Sequence, residues 1–365
     1  MIRCLCAAAA AVVVGLAGSW ATAMADEAAR HPILIRAARL FDVDSGRVAT
    51  PGEILVEGER ITAVGSSVQH PRGTEIVDLG DSTLLPGLID VHVHLFLHPG
   101  AESLQTVAES VPQRTILAML AARDDLMAGF TAERDMGTEG AGSADTAVRD
   151  AIDKGLIPGP RLRISGNAID ILGGHEDANH FNPAQHVLSN ATYANNVDEL
   201  VVAVRQQHKE GSDFVKIYET GPDRMRDGIL HTPYQYTATE LKAAVDEAAR
   251  LGTTVAVHAM GEPGTLYAAQ AGVASIDHAT QLSNATMAIM KEKHIPAVPT
   301  FAVFEYFAQH GPVVDARQES ALLDYKVKEF KRQIAADIPF AVGSDEVLSR
   351  TVLRRVSLSC SSDTV

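Results

Sequence analysis

Eight short β-rich runs alternate with longer helical ones between residues 84 and 344, and no other property of this 365-residue chain narrows its fold as much. The runs span 86–95, 130–135, 161–166, 213–218, 253–259, 273–278, 295–303 and 338–344. Between them, AESVPQRTILAMLAARDDLMAG, VDELVVAVRQQHKEG and TATELKAAVDEAARLG repeat apolar residues at i, i+3 and i+4 and close on glycine, which is the helical signature. TATE has the form of a capping box. A doubly wound sheet also alternates, but eight units over about 250 residues suit a closed (β/α)8 barrel better.

The residues before this region follow a different rhythm. ILIRAARLFD, GEILVEGERITAVG and TEIVDLGDSTLLPG alternate apolar and polar residues between Gly, Pro and Asp, as short strands do. They predict a small β-sandwich segment over 26–83 ahead of a barrel over 84–346. Residues 1–25 stand apart again. One arginine, an apolar run and the small-residue end ATAMA have the pattern of a secretory signal peptide cut after Ala25. The expected location is therefore periplasmic or secreted, with no membrane contact once the signal is removed.

Bulk properties exclude several functions. Hydrophobic residues make up 46% and charged residues 21%, enough for a packed core. The net charge of −15 argues against a nucleic-acid surface, which needs a basic stripe. Of three cysteines, Cys4 and Cys6 fall in the signal segment and only Cys360 remains. A cysteine-based zinc site is thereby excluded, and a metal would have to be held by His, Asp, Glu or Lys chemistry.

LLPGLIDVHVHLFLHPG supplies the first such groups. Side chains i and i+2 of a strand point the same way, so His92 and His94 aim two imidazoles in one direction. In a parallel barrel, functional groups gather at the C-terminal ends of strands. Lys216 stands near the end of the fourth run, His258 and His278 end the fifth and sixth, and Asp345 follows the eighth. Imidazole and carboxylate suit zinc and similar ions. A buried lysine is costly, and Lys216 can be ion-paired, a Schiff base or chemically modified.

These residues resemble the amidohydrolase superfamily of metal-dependent hydrolases. LLPGLIDVHVHL matches its opening signature, and FVKIY, VAVHA, SIDHAT and VGSDE follow in the family's order. ISGNAIDILGGHED is similar to the loop after strand 3 in the exported binuclear branch of Xaa-Pro dipeptidases, carboxypeptidase-like members and ochratoxin-hydrolysing amidohydrolases. The resemblance implies two divalent ions, zinc first among them: one held by His92, His94 and Asp345, the other by His258 and His278. Lys216, carbamylated by CO2, would bridge both. A shared hydroxide would attack an amide or peptide carbonyl, with Asp345 moving the proton to the leaving amine. His175, Tyr218 and Tyr236 are the candidate substrate contacts. The implied substrate is a small dipeptide-like or N-acyl amino-acid molecule; homo-oligomerisation is left open.

One departure stands out. Family members continue past strand 8 to an eighth helix, whereas here residues 347–365 form a basic, Ser-rich tail unlike the acidic chain before it. That composition suggests a frameshift or premature end, and predicts exposed apolar flanks on strands 1 and 8. Two alternatives follow: a deaminase or lactonase on the same scaffold, against which Lys216 argues, or an inactive metal-binding chain.

Overall fold

The computed structural model describes residues 31–99, 102–177, 181–182, 184–310 and 316–345. The signal segment and the tail 347–365 lie outside them. Backbone contacts divide the chain into two units, at Pro86/Gly87.

The first unit holds two small sheets. Strands β1 (Pro32–Ala37), β4 (Gly52–Glu57), β5 (Arg60–Gly65) and β6 (Glu75–Asp78) form one, in the order β5-β4-β1-β6. The other contains β2 (Arg39–Asp42), β3 (Arg47–Ala49) and β7 (Thr83–Leu84), in the order β3-β2-β7. Leu34, Leu55 and Val68 form one buried cluster and Ala37, Leu40 and Leu84 another. The alternation read in the sequence gives each strand one apolar face to bury.

The second unit opens with β8 (Leu88–Val93), α1 (Glu102–Ala108), α2 (Val111–Ala128), β9 (Phe130–Asp135), α3 (Ala144–Asp153) and β10 (Arg161–Ile164). It continues through β11 (Ile169–Asp170), β12 (Thr192–Tyr193), α4 (Val197–Glu210), β13 (Val215–Tyr218), the hairpin β14–β15 (Arg224–Arg226 and Ile229–His231) and α5 (Ala238–Arg250). Last come β16 (Val255–Ala259), α6 (Gly264–Ala271), β17 (Ser275–His278), α7 (Asn284–Lys293), β18 (Ala297–Val298), α8 (Phe301–His310) and α9 (Ala316–Ala335).

The strands pair in parallel as β10-β9-β8 and as β12-β11-β13-β16-β17-β18. Except from β10 to β12, a helix separates each from the next, so a parallel α/β architecture follows from the alternation. Backbone bonds extend both sheets. Asp213 N donates to Ile164 O at 2.8 Å, and Ala341 N donates to Ala297 O at 3.0 Å. Val91 N donates to Val342 O at 2.9 Å, and Asp345 N to His92 O at 2.7 Å. The segment 338–344 thus lies between β18 and β8. Gly343 is needed there, because a Cβ would meet Val298 Cγ1 at 2.4 Å and His92 Cβ at 2.7 Å.

Helix ends were well marked in the sequence. Ser110 caps α2, Asn196 caps α4, and Thr237 with Glu240 forms the complete capping box of α5. Such caps satisfy amide donors that helix geometry leaves free. The strand read over 295–303 is a correction: it ends at Val298, and Phe301 begins α8. Thr300, at φ +48°, turns the chain between the two. A short apolar run alone does not separate strand from helix. The run 338–344 forms a single bridge, Phe340 to Ala297.

The main core lies under β13, β16 and β17 and the helices α4–α7. Leu88, Ile89 and Val342 are exposed, as are Ile116, Leu120 and Met127 of α2. Among the described residues, no helix is long and apolar enough to cross a membrane.

Two carboxyls are also buried, Asp135 at the end of β9 and Asp145 in the first turn of α3. Burial, then the neighbouring Asp145, pushes Asp135 well above the usual carboxylate range. Burial also pushes Asp145 up, to about 6. A raised folded-state value favours the protonated form in the native protein, so stability falls as pH rises through that window. Asp135→Asn is expected to melt above the parent at about pH 8, the gap closing towards pH 5. Thermal melts at the two pH values check this; a gap of equal size at both contradicts it.

Candidate metal centre

Local strand geometry delivers the site. His92 lies in β8 and His94 just past its end, two residues on, and both are buried. In β13, Lys216 and Tyr218 also stand two apart and are buried. His258 lies in β16, in register with Tyr218. His278 ends β17, and Asp345 reaches over from the segment beside β8. All of these line one cavity of 280 Å³, together with His175, Glu176 and Asp223. Leu97, Met260, Val303, Phe304, Phe307 and Leu322 give it an apolar wall.

Each of the four ligand-type histidines is held at one ring nitrogen by a neighbouring group, which for His258 is Asp223 of the cavity lining. His92 Nδ1 pairs with Asp277 Oδ2 at 2.7 Å, and Arg134 Nη2 holds that carboxylate at 2.9 Å. His94 Nδ1 lies 3.1 Å from Gly137 O and 3.2 Å from Glu139 Oε1. His278 Nδ1 meets Thr300 Oγ1 at 2.8 Å, and His258 Nε2 meets Asp223 Oδ2 at 2.9 Å. Partners of this kind fix the tautomer and ring angle of metal-binding histidines. On His92 and His94 the free nitrogens turn to Asp345 Oδ1, at 3.2 and 3.4 Å.

Charges follow from burial and these neighbours. Burial brings His94 and His258 down to about 4, and holds His278 well below its ordinary value, assisted by the adjacent His258 and His92. Burial opposes a charged His92 as well, but Asp345 and Asp277 hold it above its ordinary value. Asp345 is held far below the carboxylate range, burial being outweighed by His92, His94 and Lys216. Asp277 is likewise held low, with Arg134 the strongest counterweight to burial. Neutral imidazoles and ionised carboxylates are the states that bind metal.

The residues fit a metal pair. Ligand atoms of His92, His278 and Asp345 lie within 4.8 Å of one another, as do those of His175, Asp223 and His258, so the first group takes His278 where the resemblance implies His94, and the second takes His175 and Asp223 where it implies His278. Lys216 is wholly buried and its Nζ has no hydrogen-bond partner among the described residues. Burial lowers its pKa, against the pull of Asp277, Asp345 and Glu139.

The candidate substrate contacts divide. His175 stacks on Tyr218 with ring centroids 5.1 Å apart and lies 4.1 Å from the His258 ring. Gly221, at φ +143°, leaves room for it, since a Cβ there would meet His175 Nδ1 at 2.4 Å. Tyr218 donates its hydroxyl to Glu139 Oε1 at 3.0 Å. Tyr236 lies elsewhere: it is packed in the core, does not line the cavity, and donates to Ala194 O at 2.9 Å.

Sequence reading missed Asp277, Glu139, Asp223 and Thr300. Only Asp277 carried a signal, as the residue before His278 in SIDH. Asp277→Asn removes the anion behind His92 and is expected to weaken metal binding by about 10- to 100-fold. Competition with a chelator measures this, and unchanged affinity would remove Asp277 from the site.

The chain belongs to the amidohydrolase family, whose model matches residues 83–362. Ochratoxinase from Aspergillus niger is 29% identical over 321 residues, covering 80% of this chain and 64% of its own length. The chain thus spans less than two thirds of that relative. The crystal structure of a Xaa-Pro dipeptidase with methionine bound in the active site is similar, at TM-score 0.75 and 28% identity, over 87% of this chain and 80% of that one. The crystal structure of A. niger ochratoxinase gives TM-score 0.72 and 27% identity, over 86% and 76%.

Proposed function

We propose that the protein is a binuclear metal-dependent hydrolase of amide or peptide bonds, carried on a (β/α)8 barrel with a β-sandwich segment before it. Support for barrel closure comes from the backbone bonds linking Ile164 to Asp213 and Val91 to Val342. The function rests on one observation. Five potential metal ligands from four strand ends, His92, His94, His258, His278 and Asp345, meet in a single cavity around a buried lysine amine with no hydrogen-bond partner among the described residues.

His92, His94 and Asp345 would hold one ion, His258 and His278 the second, and a carbamate on Lys216 both. Such a pair supplies a water of lowered pKa and a Lewis acid for the carbonyl oxygen. Asp345 Oδ1, beside both His92 and His94, takes the proton from the nucleophile and passes it to the leaving amine. His175 and Tyr218 orient the carbonyl or a substrate carboxylate. The wall of Phe304, Phe307 and Leu322 receives an apolar side chain and excludes water. Ochratoxinase and the Xaa-Pro dipeptidase support an N-acyl amino acid or dipeptide as substrate.

Metal analysis of the purified chain, followed by a panel of dipeptides and N-acyl amino acids, tests this. About two ions per chain and cleavage of at least one panel member are expected. A metal-loaded, monodisperse protein that cleaves only lactones or releases only ammonia would overturn it.

A further inference from the structure

Helix α9 carries a buried lysine that the proposed reaction does not use. Lys326 is 1% exposed, and no carboxylate forms an ion pair with it among the described residues. Its Nζ donates to His278 O at 2.7 Å and to Thr280 Oγ1 at 2.9 Å. It also lies 4.5 Å from the centre of the Phe304 ring, and Phe304 meets the His278 ring edge-on at 6.0 Å. One turn pair further along the same helix, Gln333 Nε2 donates to Ala279 O at 2.8 Å and to Thr280 O at 3.3 Å.

These bonds fall where the backbone needs holding. His278 has φ +68° and Ala279 φ +42°, in the left-handed region that L-residues avoid. Such backbone persists only when its surroundings fix it. The turn changes what His278 can reach. Asp277 already faces His92, and in a regular strand the next residue would face away. The left-handed step brings the His278 ring back to the cavity, where Thr300 holds its Nδ1. A buried ammonium is costly, and this one is directed at the carbonyl of that residue.

We propose that Lys326 is a positioning residue: it holds the left-handed backbone at His278 and so keeps the imidazole aimed at the second metal ion. This rests on the metal reading above. Loss of Lys326 acts on the ion through His278 rather than on substrate directly.

The test compares the full chain with Lys326→Met, which retains the stem and loses the ammonium, and with Lys293→Met as control. Lys293 bonds Ala269 O and Gln270 O, remote from the cavity lining. Zinc release to a chelator and the visible spectrum of the cobalt-loaded protein are read on samples shown to be folded by circular dichroism. Lys326→Met is expected to release one of two ions about 10-fold faster and to change the cobalt spectrum, with kcat reduced more than KM. The control should match the parent.

A folded Lys326→Met protein with parental release and spectrum overturns the inference alone. A parent that binds no zinc or cobalt overturns the metal reading as well. Where Lys326→Met yields only aggregate, Thr280→Val decides, since it removes one of the two acceptors. Faster release with an altered spectrum supports the role, and parental behaviour overturns it.

Discussion

Lys216→Ala should abolish amide hydrolysis, lowering kcat/KM by about three orders of magnitude or more, and should leave fewer ions bound. The argument starts from burial. The Lys216 amine is fully enclosed, has no hydrogen-bond partner among the described residues, and is shifted towards its neutral form. A neutral amine is the form that adds CO2. A carbamate so formed would place an anion among histidines whose ring nitrogens are already held by neighbouring groups. On the bridging proposal, alanine would remove the anionic ligand shared by the two ions and leave their repulsion uncompensated. Metal analysis and steady-state kinetics together check this. Full activity in the variant would end the bridging role, whatever else the site does. Zinc loading in CO2-free buffer should lower occupancy of the parent in the same direction.

A second large effect is expected on stability. Arg114 is 1% exposed and ties together two loops that follow neighbouring strands. It donates to Phe96 O at 3.0 Å through Nη2 and 3.3 Å through Nε, to Thr138 O at 3.1 Å, and to Glu139 O at 2.6 Å. Arg114→Met keeps most of the stem volume but strands Phe96 O, while Thr138 O keeps its bond from Ala141 N and Glu139 O its bond from Thr106 Oγ1. The stranded carbonyl costs about 1–3 kcal/mol and each of the two further lost bonds about 0.5–1.5 kcal/mol, so a total of roughly 2–6 kcal/mol is expected. At a few degrees per kcal/mol this lowers Tm by about 10 °C. A thermal melt of the metal-free protein reads it directly. A shift of a degree or two would mean that water or a side-chain rearrangement replaces the guanidinium.

The same two loops show why some of the site was legible and some was not. His92 and His94 were readable because a strand alternates its faces, and the i, i+2 spacing survives into the structure. Lys216 and Tyr218 obey the same rule. Strand order and the helices between strands came from apolar periodicity, which depends only on nearby residues. Glu139, Asp223 and Thr300 lie on connections after β9, after β13 and after β18, where no periodicity operates. Asp277 was hidden by the alternation rule itself. Adjacent residues of a strand should not share a site, and here they do because His278 turns left-handed. The helical hairpin of α8 and α9 was missed from its start, where FAV continues an apolar run that reads equally well as strand.

The route of the ligands through the chain has a consequence for folding. His92 sits in the first strand of the second unit and Asp345 is the last of the described residues. An ion held by both closes almost the whole unit into a single loop, and closing a long loop removes much of the freedom of the unfolded chain. None of the three cysteines of the sequence, Cys4, Cys6 and Cys360, falls within this interval. The metal would do the work of a disulfide. Chelator would then act on this protein as reductant acts on a disulfide-bonded domain: it opens the ring, and what melts afterwards is a chain with its two ends released.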